Sequence, residues 1–176
     1  MVLIAKRLAF AGAILRTGGA DGADAAFLSG TIVAGMGDKV ELYLPWREFN
    51  RHRSCRAGLY RPTSTAYDLA AKHHPAWDKL GGAPRALHAR NVHAVLGADC
   101  ASPSDLLICW TQDGSLGRTS RRTGGTGQAI RVAVAHRVSI WNLQRDDHRG
   151  LWARWSMDEG DWPPLALSRY PTTGVV

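Results

Sequence analysis

The sequence predicts an α/β fold with a mainly parallel sheet. Short apolar runs alternate along the chain with Ala-rich segments of helical spacing, the succession that lays helices over parallel strands. Two of the runs end in glycine turns that open directly into helices. One is Gly18-Gly19-Ala20-Asp21-Gly22-Ala23-Asp24; the other, far downstream, is Gly124-Gly125-Thr126-Gly127-Gln128. Both turns fall at the carboxyl ends of strands, where open α/β sheets receive their ligands.

Taken in order, residues 4–10 fit a helix, and Ala13–Arg16 fits a short strand leading into the first turn. Asp21–Val33 reads as a helix with Asp21 as N-cap and Ala25, Ala26 and Phe27 facing inward. Val40-Glu41-Leu42-Tyr43-Leu44 alternates at period two and stops at Pro45, which makes it a strand. Residues 46–62 have no periodicity and collect Arg47, Arg51, Arg53, Arg56 and Arg61 in a loop. Thr63–His73 is helical, with Pro75 beyond its end, and Pro84–Leu96 is helical again. Leu106–Thr111 is a strand. Asp113–Thr123 is a polar loop carrying Arg118, Arg121 and Arg122. Gly125–His136 is a helix and Val138–Leu143 a final strand. These elements form one domain over residues 1–143. Residues 144–176 form an extension, irregular apart from one short helix, whose Trp152, Trp155 and Trp162 either pack back onto the domain or face a partner.

A chain of 176 residues, 45% apolar and 21% charged, is large enough to bury a core of its own. No apolar stretch approaches the roughly 20 residues of a membrane span, and the first residues read as an amphipathic helix with Lys6-Arg7 inside it. No membrane association and a cytoplasmic location are expected. Cys55, Cys100 and Cys109 are odd in number and widely spaced, which gives neither a disulfide framework nor a zinc pattern. His73 and His74 are adjacent, and His88 and His93 are five apart, off the spacing of a helical metal site. No metal, no cofactor and no catalytic constellation is expected. The formal charge is +7, and arginine supplies most of it. Arginine's planar fork suits phosphate; genomic base composition accounts for the same excess equally well.

Each glycine turn is by its chemistry a place for an anion. Glycine admits close approach, the first amides of the following helix lack partners, and the helix dipole favours negative charge there. The ligand-binding candidates are Gly18, Gly19, Ala20, Asp21 and Asp24 in the first turn, and Gly124, Gly125, Thr126 and Gly127 in the second. Arg90 and Asn91 join them, with Arg90 either clamping a phosphate or making a helix-surface ion pair. Asp24 either caps its helix or meets a ribose hydroxyl, and Thr126 either donates to phosphate or caps. Trp110 and Trp46 are candidates for stacking on a base, and Trp46, Arg47, Arg51 and Arg53 form a candidate lid.

Four stretches in order resemble the SLOG superfamily. They are Leu15-Arg16-Thr17-Gly18-Gly19-Ala20-Asp21-Gly22-Ala23-Asp24, Glu41-Leu42-Tyr43-Leu44-Pro45-Trp46, His88-Ala89-Arg90-Asn91 and Gly124-Gly125-Thr126-Gly127-Gln128-Ala129-Ile130-Arg131. This Rossmann-like group includes the DNA-processing protein DprA, the "Lonely guy" phosphoribohydrolases and nucleotide-ligand sensors of bacterial conflict systems. The nearest look-alikes are the YspA/YpsA-related, DprA-like proteins of phages. The resemblance covers roughly residues 2–143. It implies a Rossmann-like three-layer sandwich with a nucleotide or nucleic-acid pocket at the two turns and Arg90 and Asn91 beside it.

The chain departs from that pattern twice. The phosphoribohydrolases close their fingerprint P-G-G-x-G-T-x-x-E with a glutamate that acts on the ribose. Here Gln128 stands at the threonine and Arg131 at the glutamate, and arginine cannot act as a carboxylate base. The family also begins with a central strand and a Gly-Ser-Arg-like phosphate loop that this sequence lacks. Either the true start lies upstream, or Leu165–Tyr170, or a second copy of the chain, fills the gap. A homo-oligomer, most simply a dimer, is expected.

Three functions are weighed. The first is binding of a nucleotide-derived ligand, such as an ADP-ribose-like or cyclic nucleotide signal, with the resemblance pointing to phage–host conflict. The second is DprA-like single-stranded DNA binding in recombination or DNA processing. The third, cleavage of a nucleotide N-glycosidic bond, is disfavoured by Arg131.

Overall fold

The computed structural model describes residues 1–52 and 57–164. Arg53, Cys55, Arg56 and Leu165–Tyr170, named above, lie outside them.

Helix α1 (Val2–Phe10) buries Ile4, Ala5 and Ala9 along one stripe. The strand that follows, β1 (Leu15–Thr17), starts later than the sequence indicates. The Ala13 amide instead closes the end of α1 by donating to the Leu8 carbonyl at 3.0 Å. Helix α2 (Ala23–Val33) has Gly22, not Asp21, at its N-cap, and no side chain caps it. Of its three expected inward residues Phe27 is buried, whereas Ala25 is exposed. Strand β2 (Val40–Leu42) runs parallel to β1, with Leu15 opposite Val40 and Thr17 opposite Leu42. One further bond, from the Tyr43 amide to the Thr17 carbonyl at 2.9 Å, carries the pairing to the edge of the first turn.

Helix α3 (Ser64–Lys72) is capped by Thr63, whose hydroxyl accepts from the Ala66 amide. Helix α4 (Gly82–Leu96) places Ala89, Val92, Val95 and Leu96 in the core and carries Arg90 and Asn91. Strand β3 (Leu106–Cys109) ends before Trp110, because the Thr111 amide turns to the Asn142 side chain at 3.2 Å. Helix α5 (Thr126–Ala135) follows the second glycine turn. Strand β4 (Ser139–Asn142) pairs parallel with β3, Leu106 opposite Ser139 and Cys109 opposite Asn142. Residues 146–156 are regular: helix α6 (Asp146–Ser156) runs for 11 residues, longer than the short helix the sequence suggests.

The fold is mixed α/β in three layers. On one face α1, α2 and α6 bury Ile4, Ala5, Phe27 and Trp152 against Leu15, Leu106, Ile108 and Trp141 of the strands. On the other, α3, α4 and α5 bury Ala66, Val92, Val95, Val132 and Ala133 against Leu107 and Ile140. The alternation of Leu106, Leu107 and Ile108 between faces is the period of a pleated strand covered on both sides. The tryptophans of the extension belong to the first core: Trp152 meets Trp141, Trp155 and Trp162 edge-on at 5.4–5.6 Å.

Among the described residues the strands form two separate parallel pairs, β1–β2 and β3–β4. Between β1 and β3 lies a cleft of about 1360 Å³. That exceeds the roughly 300–1,000 Å³ of ordinary ligand pockets. Its walls are apolar along the strands, with Leu15, Leu106 and Ile108, and polar at the carboxyl ends, with the two glycine turns.

Candidate functional site

The first turn folds around a carboxylate. The amides of Gly18 and Ala20 donate to Asp24 Oδ2 at 3.2 and 3.1 Å, and Arg90 Nη1 donates to the same oxygen at 3.1 Å. Asp24 stands in the first turn of α2, where the dipole supports its charge. The anion position predicted at this turn is therefore occupied by the chain's own side chain. The Arg90–Asp24 pair joins residues 66 apart in sequence.

Arg90 is 7% exposed, and its Nε has no hydrogen-bond partner. Burial pulls its pKa down and the Asp24 carboxylate pushes it back up. Arginine stays charged in proteins, so a guanidinium is held at the cleft wall. Gly18 is what lets it in: a Cβ there would lie 1.3 Å from Arg90 Nη1. Gly18→Ala is expected to expel the guanidinium and break the Asp24 pair, at a cost of about 2 kcal/mol read as a lower urea midpoint.

The second turn closes the other side. Gly124 takes φ +66°, a left-handed backbone suited to glycine. No side chain caps α5; the Gly127 amide donates back to the Gly124 carbonyl at 3.1 Å, and the Thr126 and Gln128 amides remain as the open donors of the helix N-terminus. Asn91 Nδ2 reaches across from α4 to the Gly125 carbonyl at 3.3 Å. Gly18, Ala20, Asp21, Asp24, Arg90, Asn91, Trp110, Gly125 and Thr126 all line the one cleft. Gly19, Gly124 and Gly127 shape the turns without lining it, and Gly127 packs against Thr119 and Thr123. Trp110 is exposed at the end of β3.

Of the predicted lid, the part before residue 53 folds onto the first turn. Asn50 Nδ2 donates to the Gly19 carbonyl at 3.0 Å, and His52 Nε2 lies 3.2 Å from the same oxygen. Glu48, Asn50 and Arg51 all take positive φ, at 60°, 48° and 63°. Such backbone is costly away from glycine and persists where surrounding contacts hold it. Trp46 stacks edge-on against Phe49, and the Arg47 guanidinium lies 4.7 Å from the centre of Tyr60. Trp46, Arg47 and Arg51 do not line the cleft. Phe49 of the same loop places its ring 5.8 Å from the Arg90 guanidinium.

Two cleft residues were not singled out by the sequence as binding groups. Thr17, 3% exposed, presents a hydroxyl with no partner at the end of β1. His88, two residues before Arg90 on α4, also lines the cleft, with an unpartnered Nδ1. Position alone was the available signal: Thr17 directly precedes the first turn, and His88 belongs to the His88–Asn91 stretch.

Burial, followed by His74, Arg131 and Arg90, pulls the His88 pKa down to about 4. The imidazole is neutral at neutral pH and adds no charge to Arg90. Its folded pKa lies below the unfolded value of about 6.5. Its contribution is therefore complete above pH 6.5 and is lost as pH falls toward 4. A loss on the order of 1–2 kcal/mol is expected across that window. His73, His74, His93 and His148 are lowered by burial as well and act in the same direction. Melting temperature against pH is expected to fall through the window, with a shallower fall in His88→Gln.

Arg131 donates to the His73 carbonyl and the Thr119 hydroxyl and does not line the cleft. Burial pushes the Cys109 thiol up to about 12, which makes it an inert core group. Among the described residues no three His, Cys, Asp or Glu side chains are placed to hold a metal ion, and no helix is long and apolar enough to cross a membrane. The sequence matches no protein-family model, no curated protein and no solved structure.

Proposed function

We propose that the protein binds a nucleotide-derived ligand, ADP-ribose-like or a related signal, at the polar end of the cleft. The observation that carries this reading is that adjacent residues of α4 touch both glycine turns. Arg90 holds the first through Asp24 and Asn91 holds the second through Gly125. A ligand lying between the turns meets a buried guanidinium, the open amides at the start of α5 and the exposed face of Trp110. Those three groups suit phosphate and base together. The resemblance to SLOG proteins favours the same ligand class and a role in phage–host conflict.

A melting screen of ADP-ribose, AMP, cyclic nucleotides and inorganic phosphate tests the reading. A ligand at a hundredfold its Kd is expected to add about 2.7 kcal/mol, with little dependence on salt. Failure of every nucleotide to raise the melting temperature would overturn it.

Single-stranded DNA binding is the second reading. It is favoured by Arg118, Arg121 and Arg122, which are exposed beside the second turn, and by the exposed rings of Trp46 and Trp110. Oligonucleotide binding of that kind falls steeply with salt, with a log–log slope of about −0.7 per phosphate contacted. Repeating the screen with oligonucleotides at two salt concentrations separates the two. The hydrolase reading finds no support in Arg131, whose guanidinium is tied to His73 and Thr119.

A further inference from the structure

We infer that the first glycine turn reads a sugar hydroxyl and not a phosphate, so that the site selects ribonucleotide-type ligands over their 2′-deoxy counterparts. The inference rests on the proposed nucleotide site and specifies which part of the ligand meets which turn.

Asp24 Oδ2 already takes three donors, the Gly18 and Ala20 amides and Arg90 Nη1. Two of the turn's amides, those of Gly18 and Ala20, are thus spent within the chain, and the carboxylate they hold sets a negative charge at this end of the cleft. What this end of the cleft still offers is a different set of groups. Asp24 Oδ1, on a side chain 33% exposed in the cleft lining, is a charged acceptor with no hydrogen bond from the described residues. Arg90 Nε is a buried donor without a partner, and Thr17 Oγ1 is a buried hydroxyl without a partner. Both residues line the cleft beside Asp24.

A nucleotide phosphate is mainly an acceptor near neutral pH, with a second pKa of about 6, and would face the Asp24 carboxylate at like charge. A hydroxyl donates and accepts at once. It gives its proton to Asp24 Oδ1 and takes one from Arg90 Nε or Thr17. Two adjacent hydroxyls, as on a ribose, use all three groups. The phosphate end of the ligand then belongs to the second turn, where the α5 amides are uncapped. A ligand lacking a hydroxyl leaves buried polar groups unpaired, which is how a site built around a hydroxyl rejects the analogue without it.

The test compares melting curves of the full chain with each of the four ribonucleoside 5′-monophosphates, their 2′-deoxy and 3′-deoxy forms, ADP-ribose and inorganic phosphate. Ribonucleotides that stabilise the protein are expected to do so at about 10- to 100-fold lower concentration than the deoxy forms. Thr17→Val is expected to narrow that ratio. Asp24→Asn, which puts an amide donor where the free acceptor was, is expected to abolish it. Equal stabilisation by ribo and deoxy ligands overturns the inference while leaving the nucleotide site standing. Stabilisation by inorganic phosphate that Asp24→Asn leaves unchanged supports the second turn as the phosphate end. Loss of all nucleotide response in the wild type overturns the site itself.

Discussion

Arg90→Met is expected to lower the unfolding free energy by about 2–3 kcal/mol and to abolish stabilisation by nucleotides. Removing one partner of a buried ion pair costs up to about 3–5 kcal/mol, because the other charge is left without its counterpart. The lower figure applies here because Asp24 is 33% exposed and keeps its two amide donors. Methionine fills much of the space of the arginine stem, so packing loss is small and the effect reports on charge. Asp24→Asn alone is expected to cost less, since its carbonyl oxygen still accepts from Gly18 and Ala20. The double variant is expected to fall short of the sum of the singles by about 1 kcal/mol or more, the mark of residues in direct contact. Strict additivity in urea unfolding would mean that the pair is not formed in solution.

Trp152→Ala is expected to cost about 3–5 kcal/mol, the range for truncating a buried aromatic side chain. Trp152 is fully buried and touches three other tryptophans, Trp141 of β4, Trp155 of its own helix and Trp162 beyond it. The same cluster reaches α1 through Arg7, whose guanidinium lies 4.6 Å from the Trp155 ring while its Nη2 binds Asp158 at 2.8 Å. The core of the first face thus runs without a break into α6. A single urea transition with a lowered midpoint is the expected outcome, since small cooperative domains unfold in one step. A variant melting in two steps, or with an unchanged midpoint, would mean that α6 is an appendage.

Helices were legible in the sequence where their ends are chemically marked. Thr63 caps α3 as its hydroxyl allows, and the glycines of the second turn precede α5 as expected. Strand ends were less legible, because strands of three or four residues contain too few periods to mark them. Their limits are set by tertiary bonds, such as that from Ala13 to Leu8 or from Thr111 to Asn142. Helix α6 carried readable signals that its tryptophans obscured: Asp146 and Asp147 in the first turn, Arg154 in the last, and Trp152 and Trp155 three apart on one face. The two turns and Arg90 and Asn91 were legible as a constellation. That Asp24 closes the first turn was not, because its third donor arrives from a helix 66 residues away.

The gap between β1 and β3 has a mechanical consequence. A continuous ladder of backbone bonds fixes the distance from strand to strand, and here no such ladder joins the two halves among the described residues. The first glycine turn rides on one half and the second on the other. Their separation is held by helix packing, α1 against α2 and α6 on one face and α4 against β1 and α5 on the other, and by side-chain hydrogen bonds such as that from Arg16 to the Ser102 carbonyl. Packed helices slide past one another far more readily than paired strands part. A ligand touching both turns is thus a cross-brace: it ties together two bodies that the sheet leaves unjoined and stiffens the molecule well beyond the residues it contacts.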